Sequence, residues 1–125
     1  MKKYLPIFLI VALVLAGGFF LLKNKSQSSN QGSVNADIIL FVGNGCPHCA
    51  KVEEFVKANS IDKKISFITK EIFYNKANAQ LLEQKAAFCG LSSASIGVPL
   101  LWDGKNSKCY VGDVDVTKFF QDNTK

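Results

Sequence analysis

Read along the chain, apolar and polar positions fall into three regimes. Residues 4–22, LPIFLIVALVLAGGFFLL after Tyr4, are an uncharged run with no amphipathic face, long enough to cross a ~30 Å hydrocarbon layer as a helix. Residues 23–35 are rich in Ser, Asn, Gln and Gly and nearly devoid of apolar side chains, the composition of a flexible tether. From residue 36 to 125 the pattern is that of one compact domain, small enough for its margin of stability to be modest.

Within that domain, Asp37 to Val42 holds the continuous run Ile-Ile-Leu-Phe-Val, which predicts a strand buried on both faces and ended by Gly43-Asn44-Gly45. Pro47 suits the first turn of a helix, and Cys49, Val52, Phe55 and Val56 recur at three- and four-residue steps through about Ser60. Ile65 to Ile72 reads as a second strand. Asn75 or Asn78 can cap a second helix, with Ala79, Leu82, Ala86 and Cys89 on its inner stripe and Gly90 as its stop. Val98 to Trp102 and Lys108 to Val111 predict a hairpin around Asp103-Gly104-Lys105-Asn106, and a last helix after Gly112-Asp113 buries Val116, Phe119 and Phe120. The expected fold class is α/β, in the order β-α-β-α-β-β-α. Strands alternating with helices imply parallel pairing in the first half and the hairpin antiparallel pairing in the second, hence a mixed four-stranded sheet.

Charge changes the picture little. The formal net charge is +5, but four of the fifteen basic residues are Lys2, Lys3, Lys23 and Lys25, flanking the apolar run. In the domain eleven lysines face ten acidic residues without a basic stripe, so a nucleic-acid partner is set aside. Residues 1–3 form a short flank and residues 4–22 an uncleaved signal-anchor. The alternative, cleavage near Val14-Leu15-Ala16, would leave an apolar Gly-Gly-Phe-Phe-Leu-Leu end on the mature chain. Lysines stand on both sides of the segment, so orientation is argued from the four cysteines, which fit an oxidising compartment and place the domain outside the cell membrane.

The candidate chemistry is Cys46-Pro47-His48-Cys49 at the start of the first helix. Two cysteines three apart at a helix N-terminus expose one sulfur and hold the other a turn inside. Unpaired N–H groups and the positive end of the helix dipole favour a thiolate at Cys46, the attacking species, and Cys49 stands ready to resolve the mixed disulfide that follows. Pro47 sets the helix start without wasting a donor, and His48 can add positive charge or a hydrogen bond at the Cys46 sulfur. The same four residues also admit a zinc half-site, for which Cys89 and Cys109 are the only further cysteines, or a purely structural disulfide. A metal or other cofactor is not expected.

These residues resemble the thioredoxin-like thiol–disulfide oxidoreductases over about Asp37 to Phe120. CPHC between strand and helix, continued by Glu53-Glu54-Phe55, is similar to the DsbA-type bacterial thiol oxidases, while the compact element order is closer to glutaredoxins. Ile96-Gly97-Val98-Pro99 looks like the superfamily's cis-proline loop, and the resemblance implies that Pro99 is cis and that the Val98 backbone pairs with an extended substrate chain. Two features differ from the family pattern: Leu40 stands where thioredoxins often bury an acid, and only Gly112-Asp113-Val114-Asp115 follows the hairpin, so no glutathione site is carried over. In the inferred fold Cys89 and Cys109 lie on elements able to pack together, as a structural disulfide, as buried free thiols or as a redox relay. The expected activity is disulfide exchange with protein thiols, leaning to oxidase or isomerase; the alternatives are a thioredoxin-like reductase or glutaredoxin-like enzyme, or a non-catalytic module that binds a metal or a partner protein. An oxidase would need a membrane redox partner to re-oxidise it.

Overall fold

The computed structural model describes residues 37–125. The apolar run at residues 4–22 and the tether at 23–35 lie outside the described residues. Among the described residues no helix is long and apolar enough to cross a membrane.

The elements follow the order β1 (Ile38–Val42), α1 (Pro47–Ala58), β2 (Ile68–Glu71), α2 (Lys76–Phe88), β3 (Leu100–Asp103), β4 (Lys108–Val111) and α3 (Asp113–Asn123). They build a four-stranded mixed sheet in the order β2-β1-β3-β4. β1 runs parallel to β2, with Ile39 opposite Ile68 and Val42 opposite Glu71, and antiparallel to β3, with Ile38 opposite Asp103 and Phe41 opposite Leu100. β4 closes the hairpin against β3, Leu100 facing Val111.

Position between two neighbours and two helical layers explains why β1 is apolar without alternation: all five of its residues are buried. Ile38, Leu40 and Val42 pack on one side with Val52 of α1, Leu101, and Val116, Phe119 and Phe120 of α3. Ile39 and Phe41 pack on the other with Leu82 and Ala86 of α2, Leu100 and Trp102. Phe41, Trp102, Phe119 and Phe120 are therefore core residues, as their places on apolar faces predict.

Three boundaries differ from the sequence pattern, each for a local reason. The second strand begins at Ile68 and not at Ile65, because the Ile65 N–H closes the short helical turn Ile61–Lys63 by donating to Ile61 O at 3.0 Å. Ile65 and Phe67 still pack on the core, the Phe67 ring 5.0 Å from that of Phe120. α1 stops at Ala58, where the Asn59 side chain donates to Phe55 O at 2.9 Å and Ser60 turns to φ 50°. β3 begins at Leu100, so Val98 and Pro99 lead into the strand and are not part of it; proline has no N–H to give a ladder. Of the two candidate caps for α2, Asn75 is the one used, its side chain accepting the Asn78 N–H at 3.1 Å.

Candidate active site

The site is built where β1 gives way to α1. Gly45 takes φ 76°, a conformation natural to glycine, and the Cys46 N–H donates to Gly43 O at 3.1 Å to close the turn. At Gly43 a side chain would run into the Phe73 ring, so the loop backbone and the β2–α2 connection are in direct contact. Glu71, the last residue of β2, ties them further. Its carboxylate accepts the N–H groups of Asn44 at 3.2 Å, Phe73 at 2.7 Å and Tyr74 at 3.0 Å. Desolvation pulls the Glu71 carboxyl upward, but these backbone donors outweigh it and hold the group below its ordinary value.

Cys46 is the N-cap of α1 and Pro47 its first residue. The Cys46 sulfur accepts the otherwise unpaired Cys49 N–H at 3.3 Å, and the two Sγ atoms lie 2.6 Å apart with both residues as free cysteines. Cys46 is partly exposed, whereas Cys49 is only 2% exposed and packs on the core with Val52 and Leu40. Cys46 Sγ also lies 3.6 Å from the carbonyl oxygen of Val98, and the Val98–Pro99 peptide bond is cis. The fold thus brings the Val98 carbonyl to the Cys46–Cys49 pair across 52 positions of sequence.

Burial, with the hydrogen bond to Cys46 and the negative neighbours Cys46 and Glu53 adding to it, pushes the Cys49 thiol up from 9.0 to about 12, against a smaller opposing pull from the Gly43 backbone. Cys49 therefore holds its proton at neutral pH. Once Cys46 is bonded to a substrate sulfur, its charge and its hydrogen bond to Cys49 are gone, two of the causes that keep the Cys49 proton in place. Resolution is thus eased by the step before it.

His48 is placed otherwise than expected. Its Nδ1 lies 2.9 Å from Asp113 Oδ1 in the first turn of α3, and Lys51 Nζ lies 3.2 Å from Asp113 Oδ2. Among the described residues, the hydrogen-bond partners of the Cys46 sulfur are Cys49 and Val98 and not His48. Desolvation acts upward on Asp113, but the bonds from Lys51 and His48 prevail and its carboxyl sits below the ordinary carboxylate value. Asp113, Lys51, Glu71 and Glu53 have roles around the site that the sequence pattern does not assign. Glu53, one turn beyond Cys49, was legible from helical spacing, but nothing in sequence joins Asp113 to His48 across 65 positions.

No family model matches the chain, and no curated protein matches it. Among solved structures it is similar to oxidized glutaredoxin 2 from Chlamydomonas reinhardtii, with 16% identity over 70% of this chain and 74% of that one and a TM-score of 0.47. What the site can do follows from its own sulfur atoms.

The remaining cysteines are joined to each other. Cys89 at the end of α2 and Cys109 on β4 form a disulfide, with Cα atoms 6.0 Å apart. Their sulfurs are thus engaged together and do not complete a four-ligand set with Cys46 and Cys49.

Proposed function

We propose that this protein is a thiol–disulfide oxidoreductase that exchanges disulfides with protein substrates through Cys46 and Cys49. One observation carries the reading: a partly exposed sulfur at a helix N-cap lies 2.6 Å from a buried sulfur that keeps its proton. Two structural thiols would have no use for this asymmetry, while an exchange reaction needs one sulfur to attack and one to wait.

In the reducing direction the Cys46 thiolate attacks a substrate disulfide, one substrate sulfur leaves as a thiolate, and the S–S bond now joins Cys46 to the substrate. Cys49 then gives up its proton and attacks Cys46, releasing the second substrate thiol and leaving the Cys46–Cys49 disulfide. Two electrons have passed to the substrate. The oxidising direction is the reverse, a substrate thiolate attacking the Cys46 sulfur of the Cys46–Cys49 disulfide. Pro47 fixes the helix start, and the Val98 carbonyl, beside the Cys46 sulfur, is placed to accept a hydrogen bond from an extended substrate backbone, with Pro99 leading into β3.

The direction we favour is oxidation or isomerisation outside the cell membrane, with residues 4–22 as a single-pass anchor, residues 23–35 as tether and a membrane-bound acceptor to restore the disulfide. The CPHC tetrapeptide, the apolar run and the second disulfide at Cys89–Cys109, which suits an oxidising compartment, support it. Replacing Cys49 with Ser tests the exchange reaction. The Cys49→Ser chain, isolated after acid quenching, should carry proteins bound through Cys46 that a reductant releases, and Cys46→Ser should carry none. Capture independent of Cys46 would contradict the reading.

A further inference from the structure

The ring of His48 sits between the two cysteines in sequence, yet it is turned to α3. Its side chain is 61% exposed, so little besides the 2.9 Å contact between Nδ1 and Asp113 fixes its direction. Asp113 itself is well held. It opens α3, where a carboxylate is favoured by the helix dipole, and the Gly112 N–H before it donates to Pro99 O at 2.9 Å. Lys51 of α1 braces its other oxygen at 3.2 Å. The segment that brings the Val98 carbonyl to Cys46 is therefore bonded to the helix start that holds His48.

We propose that Asp113 is a positioning residue that sets the redox bias of the Cys46–Cys49 pair by holding the His48 ring against α3 and away from the Cys46 sulfur. The inference rests on the exchange reaction proposed above. A thiolate can exist in the dithiol state and not in the disulfide, so a more positive surrounding favours the dithiol. Removing the Asp113 charge has three effects of one sign: it takes away a negative group, leaves Lys51 without its counter-charge, and frees the imidazole to approach the sulfur. In the native protein Asp113 accordingly favours the disulfide and makes the pair a weaker oxidant than its tetrapeptide alone would give.

The test is equilibration of the full chain, in mild detergent at pH 7, with glutathione buffers. Two glutathione thiols give two electrons and two protons to the Cys46–Cys49 disulfide and become one glutathione disulfide, and the dithiol fraction is read by alkylation and mass. Asp113→Asn should shift the equilibrium constant toward the dithiol by roughly three- to tenfold, or about 14–30 mV at 29.6 mV per tenfold change. Asp113→Glu, which keeps the charge, should remain within about twofold of the native protein, and Asp113→Ser stands in if the Asn variant does not fold. In a His48→Ala background the Asp113→Asn shift should be clearly smaller than in the native background, because the share that acts through the ring is gone and only the charge change beside Lys51 remains. A native transition unmoved by Asp113→Asn, or moved equally with and without His48, overturns the proposal alone. A native protein with no two-electron transition overturns the exchange reaction and the proposal together.

Discussion

At the scale of single residues the two sulfurs of the CPHC turn differ in what surrounds them, and the difference has a pH signature. Cys49 is pushed up from 9.0 to about 12 in the folded dithiol, chiefly by burial. A group whose proton is held more tightly folded than unfolded stabilises the fold fully below its unfolded value, and that contribution fades as pH rises through the folded one. The reduced protein should therefore lose stability between about pH 9 and about pH 12 relative to the oxidised protein, whose cysteines do not titrate. Urea unfolding of both forms across that range checks it, and parallel profiles would contradict the assignment. Spacing alone made Cys46, Pro47 and Cys49 legible as a helix-start dithiol. The direction of the His48 ring was not legible, because it depends on a carboxylate that reaches the turn only after β4 and α3 are in place.

Among the elements, β1 was readable because burial on both faces writes an unbroken apolar run, and β4 because its hairpin has a turn whose residues satisfy themselves. There the buried Asp103 accepts the Lys105 N–H at 3.1 Å and the Asn106 side chain at 2.7 Å. β2 begins three residues later than its pattern suggests: Ile65 and Phe67 are β-formers whose side chains pack on the core, while the Ile65 backbone closes a turn, and pattern cannot separate the two. The Cys89–Cys109 bond joins the end of α2 to β4 across a sequence separation of 20. A loop of that size is worth about 3 kcal/mol through its effect on the unfolded chain. The Cys89→Ser, Cys109→Ser double variant should lose about that much in urea unfolding and still cycle Cys46 and Cys49. Loss of cycling in a variant that remains folded would make the second pair part of the reaction.

For the whole molecule, the domain of residues 37–125 has a core on both faces of its sheet, and the sequence carries a separate uncharged apolar run at residues 4–22. The anchoring proposed from that run predicts that the full chain stays with the membrane fraction in alkaline carbonate, while a chain beginning at residue 36 is released. An outward domain further predicts that a membrane-impermeant maleimide labels Cys46 in intact cells after mild reduction. Labelling only after lysis would place the domain inside and remove the case for oxidative folding.

If Cys46 and Cys49 form one redox couple, the equilibrium of the full chain with glutathione buffers measures it directly. A single two-electron transition is expected, in which both thiols disappear together and which Cys46→Ser abolishes, with a midpoint toward about −120 mV for an oxidant and near about −270 mV for a reductant. Both thiols remaining alkylatable at every poise, or one vanishing without the other, would contradict it.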